Sequence, residues 1–329
     1  MSAKFTPHGP LGMGGAPLGN LFTAIPDDLA TGAIVAAWDA GVRHFDTAPH
    51  YGAGLSEHRI GAALRHHARG DYTLSTKVGR LLEPAAEVPE IADNFQHGLS
   101  FTRKLDYSYD GAMRSIEDSL QRLGLPSIDI VYIHDCGEDW LGAAWREQFD
   151  VAMAGAARAL TKLREEGVIK GWGFGVNVVE PCILALERSD PDIFLVAGRY
   201  TLLDHTALKD LLPKCEARGA KAVIGGPYNS GILAGGTTFN YEAAPPDLVA
   251  RAKAIGAVCA RYGVDLKAAA LQFVVAHPAV VAAIPGPRTA QEVTQNAAAM
   301  AQKIPVDLWA ELKAEKLLPA EAPAPTPTA

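Results

Sequence analysis

An α/β fold of the (β/α)8 barrel type, a single closed domain of eight parallel strands each followed by a helix, is the architecture this sequence predicts. Three observations predict it. Strand-like and helix-like segments alternate along most of the 329 residues, an order that right-handed crossovers turn into a parallel sheet. Eight candidate strands are found, the number that closes such a sheet on itself. The glycine-rich turns also fail the phosphate loop that an open doubly wound sheet places after its first strand. Gly12-Met13-Gly14-Gly15-Ala16-Pro17 lacks the third glycine of G-x-G-x-x-G and runs into PLGNLF, which is no helix; Gly171–Val176 fails at the same place.

The elements follow in order. Leu11–Gly14 is the first strand. Asp27–Ala40 reads as a helix capped by Pro26-Asp27-Asp28 and stopped by Gly41. Arg43–Asp46 is a β-type segment, and a helix follows from Ser56, as N-cap, to about His67. Tyr72–Lys77 is the third strand; Val78–Asp106 is irregular, and Tyr109–Leu123 is helical. Ile128–His134, apolar and β-branched, is the fourth strand. After a second irregular stretch come helix Val151–Glu166, ended by Gly167, and strand Lys170–Val176. Strands Ile193–Val196, Ala220–Ile224 and Val280–Ile284 complete the set, with helices Leu208–Arg218, Leu248–Tyr262, Leu266–Ala276 and Ala290–Ala301 between or after them. No Gly-, Ser- or Pro-rich linker divides the chain, so residues 1–318 read as one barrel. The segment 319–329, PAEAPAPTPTA, reads as a disordered Pro/Ala-rich tail.

Composition narrows the partners. A hydrophobic content of 48% supports a large core. The charge of -7 has no run of Lys and Arg to track a phosphate backbone, so nucleic acid is not expected. The N-terminal MSAKFTPHGPLGMGG has no apolar signal core, and no stretch is long and apolar enough to span a bilayer, so a cytoplasmic protein without a membrane partner is expected. Cys136, Cys182, Cys215 and Cys259 are scattered and spell neither a zinc ribbon nor a redox pair. Cys136 lies two residues beyond His134 and is a candidate for the same pocket.

Four ionisable residues lie at C-terminal strand ends or just beyond: Asp46 and Tyr51 in RHFDTAPHYG, Lys77 in YTLSTKVG and His134 in IDIVYIHD. In a parallel barrel that edge collects the chemistry. A tyrosine titrates near 10 and needs a neighbouring cation to exchange a proton at neutral pH. Lys77 is a candidate for that cation, Asp46 for the carboxylate that fixes it, and His134 for a second donor orienting a substrate oxygen. No G-x-S-x-G elbow surrounds Ser56 or Ser230, and no metal signature is present. What remains is proton transfer to or from an oxygen, coupled to some partner chemistry. Taken singly, each residue also has an ordinary reading as a cap, a packing group or a solvated charge.

The segments FDTAPHYGAGLSEHRIGAAL, STKVGR, DIVYIHD, GWGFGVN, GGPYNSGILAGG and AAIPGPRTAQEVTQNAAA resemble the successive signatures of the aldo-keto reductase superfamily, from about Leu11 to Met300. The resemblance implies a (β/α)8 barrel, an extended nicotinamide dinucleotide, and Asp46, Tyr51, Lys77 and His134 as the catalytic tetrad. AGRYTLLDH, GGPYNSGIL and DYSYDGAMRSIEDSLQRLGL resemble the branch that oxidises the hemiacetal of aldoses or pyridoxal to a lactone with NAD. By the same resemblance Asn177 holds the nicotinamide carboxamide, preceded by Val176 where serine is usual. Gly225 and Ala197 stand where a stacking tyrosine and a glutamine are usual. Gly226, Pro227, Asn229, Ser230 and Gly231 match the pyrophosphate loop, and Gln295 and Asn296 the adenine site.

Gly286 and Glu292 replace the lysine and arginine that clasp a 2′-phosphate, which implies NAD over NADP, while Arg288 is the contrary signal. For the substrate, a small molecule, the candidates are His50 and Asp135 as polar groups and Phe22, Trp140 and Trp145 as stacking groups. Loops Glu83–Asp106 and Cys136–Phe149 are the expected carriers of specificity. A general NADPH-dependent aldehyde or ketone reductase and a non-catalytic cofactor-sensing subunit stay open as other readings. A monomer or small homo-oligomer is expected.

Overall fold

The computed structural model describes residues 4–325. Eight strands form one parallel sheet in sequential order: β1 Met13–Gly14, β2 His44–Asp46, β3 Thr73–Val78, β4 Ile130–His134, β5 Gly171–Val176, β6 Ile193–Ala197, β7 Lys221–Gly225 and β8 Val280–Ile284. The sheet closes through a parallel bridge between Leu11 and Ala283, with the Gly12 and Gly14 N–H groups donating to the Ala283 and Pro285 carbonyls at 2.9 Å. The helices that follow the strands are α1 Asp27–Asp39, α2 Leu55–Leu64, α3 Tyr109–Leu123, α4 Ala156–Glu165, α5 Glu180–Arg188, α6 Leu211–Arg218, α7 Leu266–Val275 and α8 Ala290–Ala301. The predicted barrel is the observed one.

Strand parity divides the core. Because successive side chains alternate across a strand, Val131, Ile133, Trp172 and Phe174 join the layer between strands and helices. Ile130, Tyr132, Ile193, Leu195, Val223, Ala282 and Ile284 fill the barrel interior. His134 shares the parity of Ile130 and Tyr132, as Lys77 shares that of Ser75. The same alternation that builds the core therefore aims both polar groups inward at the barrel mouth.

Several local expectations are corrected. Ser56 is not the N-cap of α2; it sits inside the helix, where its hydroxyl donates to the Gly15 carbonyl at 2.7 Å and accepts from Thr47 at 2.8 Å. The first-turn acid Asp27 does not cap α1 either, and pairs with Arg59 at 2.7 Å. The helix predicted over Val151–Glu166 is two helices, Trp145–Ala154 and α4. A side chain at the intervening Gly155 would lie 2.6 Å from the Tyr107 carbonyl, so two chains cross there. Leu208–Arg218 is likewise broken at Asp210, which places Pro213 in the first turn of α6, where its missing N–H costs nothing. Helices α5 and Val306–Ala314 were not predicted, although each opens at a proline. Of the expected disordered tail only residues 319–325 are described; there Ala322 is 1% exposed, so the packed body extends past residue 318.

The stretch Val78–Asp106 is not irregular. Arg80–Pro84 pairs antiparallel with Phe101–Leu105, and Ile91–Ala92 with Phe95–Gln96 across Asp93-Asn94, both of positive φ. This double hairpin leans over the barrel mouth and pairs with the loop after β1 through a Leu21–Phe95 bridge.

Candidate active site

At the C-terminal ends of β2 and β3, Lys77 Nζ donates to Asp46 Oδ2 at 2.7 Å and to the Thr47 carbonyl at 2.8 Å. Ser75 donates to the other Asp46 oxygen at 2.7 Å. Lys77 and Asp46 are 1% and 2% exposed. A buried pair of this kind holds only because every charged atom has a partner. Burial raises the Asp46 carboxyl, and the Lys77 ammonium pulls it back. Space for the lysine stem comes from Gly175 on β5, where a Cβ would stand 3.4 Å from Lys77 Cε.

Tyr51 lies in the loop between β2 and α2 and is half-buried. Its position is set by a backbone crossing: a Cβ on Gly19 would stand 2.5 Å from the Tyr51 carbonyl carbon, and one on Gly52 2.5 Å from the Gly19 oxygen. Two facing glycines let the loops after β1 and β2 touch. The Tyr51 ring lies 4.7 Å from Lys77 Nζ, 5.7 Å and edge-on from the His134 ring, and 5.7 Å and stacked from Phe95. Burial, then the Asp46 and Asp135 carboxylates, hold its phenol well above 10, and Arg80 opposes them. Burial, the largest of these effects, keeps the proton on Tyr51 in the resting site.

His134 ends β4, with its backbone carbonyl accepting from the Tyr107 hydroxyl at 2.7 Å. Burial, then Arg80 and Lys77, push its imidazole well below 6.5. It is a neutral donor. The next residue, Asp135, has φ +45 and forms an ion pair with Arg80 at 3.1 Å. Burial raises its carboxyl to about 7, opposed by Arg80. The Arg80 guanidinium lies 4.8 Å over the Trp140 ring. Cys136 is fully buried, and burial lifts its thiol to about 12, so it is no nucleophile.

His50 is enclosed by four rings, Phe95 and Trp140 at 5.3 Å, His134 at 5.7 Å and Tyr51 at 6.4 Å. Its backbone carbonyl accepts from Arg103 at 3.0 and 3.1 Å. Phe22 stands at the rim, 6.1 Å from Tyr241, and both aromatics have positive φ. Trp145 is not at the mouth; it is buried against Phe149 in its own helix. Arg80, Phe95, Arg103 and Tyr241 were missed by the sequence reading. Of these, only Phe95 carried a usable signal, the Asp93-Asn94 turn before it.

The residues assigned to a dinucleotide gather on the opposite side of the mouth. Asn177 follows β5 and donates to Asp139 at 3.1 Å, while its backbone carbonyl accepts from Arg199 at 2.5 Å. Gly226 at φ +54 and the run Asn229, Ser230, Gly231 at +46, +57 and +113 turn the chain after Pro227 into a concave loop. Such a loop suits an anion. Asn229 is held by Thr201 at 2.5 Å, and the Ser230 hydroxyl accepts from the Tyr241 N–H at 3.0 Å. Asn296 accepts from the Tyr228 hydroxyl at 2.7 Å, whereas Gln295 is exposed and accepts from Lys267 at 2.8 Å. A Cβ at Gly286 would stand 2.8 Å from Pro17, so no longer side chain fits there. Arg288 is paired with Glu292 at 2.9 Å, and the same carboxylate accepts from the Arg288 N–H at 2.6 Å. The loop and the small floor of Ala197 and Gly225 fit a nicotinamide dinucleotide.

The barrel carries a Tyr-Lys-Asp-His cluster at its mouth and, beside it, a concave loop that suits an anion. Residues 10–315 match the Aldo/keto reductase family, and the chain belongs to it. It is 42% identical to a pyridoxal 4-dehydrogenase of Microbacterium luteolum and 40% identical to a D-threo-aldose 1-dehydrogenase of a Pseudomonas species, with 94% of each chain covered in both cases. A glycerol dehydrogenase structure from Gluconobacter oxydans shares the fold, at 23% identity and a TM-score of 0.71, covering 97% of this chain and 94% of that one. The protein is an oxidoreductase acting on CH–OH or aldehyde groups. Among the described residues, no helix is long and apolar enough to cross a membrane.

Proposed function

We propose that this protein oxidises the anomeric carbon of an aldose, of the L-fucose, D-arabinose or D-threo-aldose type, to the lactone with NAD. The observation that carries the reading is the Lys77–Asp46 pair set beneath Tyr51, beside neutral His134. Tyr51 takes the proton of the anomeric hydroxyl. Lys77 has three N–H groups, two of them held by Asp46 and Thr47, which leaves one to steady the phenolate. Neutral His134 donates to the same substrate oxygen and orients it. The nicotinamide, when bound, accepts the hydride from that carbon. Asn177 is assigned to its carboxamide, Gly226, Pro227, Asn229, Ser230 and Gly231 to the pyrophosphate, and Gln295 and Asn296 to the adenine.

NAD is preferred in this reading because the Arg288 guanidinium is already neutralised by Glu292 and Gly286 has no room for a cation. The relative acting on D-threo-aldoses supports the sugar assignment. The relative acting on pyridoxal supports a second reading, oxidation of pyridoxal to 4-pyridoxolactone, for which Phe95, Trp140 and Phe22 offer aromatic faces. Initial rates with NAD on a panel of aldoses and pyridoxal test the two directly.

A further inference from the structure

Among the described residues, two buried histidines have no hydrogen-bond partner on either ring nitrogen, His44 and His50. Leaving such atoms unpaired costs free energy unless water or a ligand meets them. His44 lies at the start of β2, fully enclosed beside Gly12. His50 lies at the open end, 3% exposed, in contact with both Tyr51 and His134. The two histidines differ in what can reach them. Only His50 faces the place where a substrate oxygen is handled.

Burial, then Arg80, Arg103 and Lys77, keep the His50 ring uncharged, with the Asp93 carboxylate 3.9 Å from its Nδ1. An uncharged imidazole presents one donor and one acceptor. A hydroxyl is the group that satisfies either nitrogen, since it both donates and accepts. A carboxylate or phosphate would meet only one donor there.

We propose that His50 is a specificity-determining residue that hydrogen-bonds a hydroxyl on the carbon next to the one oxidised, so that the site selects 2-hydroxylated sugars. The proposal rests on the aldose reading above and deepens it. The His50 ring lies 6.4 Å from the Tyr51 ring and 5.7 Å from the His134 ring, so the group it reads lies close to the oxygen those two handle. Pyridoxal has only a ring carbon at that place, and its phenol lies one bond further out. The selection therefore also separates the two candidate substrates.

The test compares kcat/KM for L-fucose, D-arabinose and D-glucose with that for 2-deoxy-L-fucose, 2-deoxy-D-ribose and 2-deoxy-D-glucose, in wild type, His50→Phe and His50→Asn. A site built around a hydroxyl rejects its deoxy analogue by about 100-fold or more. The expected result is that ratio in wild type, its collapse to about 3-fold or less in His50→Phe through loss on the hydroxylated sugar, and its partial return in His50→Asn. Equal losses on both sugars in His50→Phe, leaving the ratio intact, would mean that His50 only packs and would overturn the proposal. A wild type that oxidises aldoses without regard to the 2-hydroxyl overturns it alone. A wild type that oxidises no aldose removes the parent reading with it.

Discussion

Lys77 Nζ sits 2.7 Å from Asp46 Oδ2 and 4.7 Å from the centre of the Tyr51 ring, so one buried ammonium links the carboxylate that fixes it to the phenol proposed as the proton carrier. Replacing Tyr51 with Phe removes the proton carrier and leaves the cofactor loop untouched. A general acid–base group contributes about 100- to 10,000-fold. The variant is expected to lose at least that much kcat while NADH binding, followed by fluorescence titration, stays within about 3-fold. Retained turnover would point to another acid–base group.

The same pair is a stability element. Lys77→Met leaves Asp46 buried without its cation, a change that costs about 3–5 kcal/mol when one partner of a buried pair is removed. The double variant Lys77→Met/Asp46→Leu is expected to regain much of that loss without regaining activity. Urea unfolding midpoints measure the first effect and initial rates the second.

The raised phenol fixes the sign of the pH dependence. Because burial and two carboxylates hold Tyr51 above 10, the phenolate is a minor form across neutral pH and grows tenfold per unit. Oxidation is therefore expected to rise steadily from about pH 7 to pH 10, while carbonyl reduction, which uses the protonated phenol, stays flat over the same range. An oxidation plateau beginning near pH 7 contradicts this.

Glu292→Gln is expected to free Arg288 and shift preference toward NADP. A released charge-assisted contact to a 2′-phosphate is worth about tenfold in the ratio of kcat/KM for NADP to NAD. An unchanged ratio would remove Arg288 from the account.

His44 is expected to set acid stability and leave activity unchanged. Burial lowers its ring from 6.5 to about 4, so the folded protein prefers it neutral. The stability it secures is complete above about pH 6.5 and is lost as pH falls towards 4, where protonation favours the unfolded chain by roughly 3 kcal/mol. Thermal melts of His44→Leu between pH 7 and 4.5 are expected to show less acid lability than wild type.

The barrel and the convergence of Asp46, Lys77 and His134 were legible because both follow strand parity. Asp46, Lys77 and His134 end short apolar strands, and once those strands are parallel their ends converge. What local pattern did not reveal depends on contacts between distant segments. The Arg80–Leu105 double hairpin is held by the loop after β1, the Gly155 break by a crossing with Tyr107, and Ser56 by Gly15 and Thr47. The resting protonation of Tyr51 was hidden for the same reason. Its nearest cation was visible in the sequence, but the Asp135 carboxylate and the depth of burial belong to the packed mouth.

The central claim is tested most directly by initial rates of NADH formation at mildly alkaline pH, with NAD offered beside L-fucose, D-arabinose, L-galactose, D-glucose and pyridoxal. The account predicts selective oxidation of an aldose, faster with NAD than with NADP. Turnover of pyridoxal with every aldose inert would contradict it.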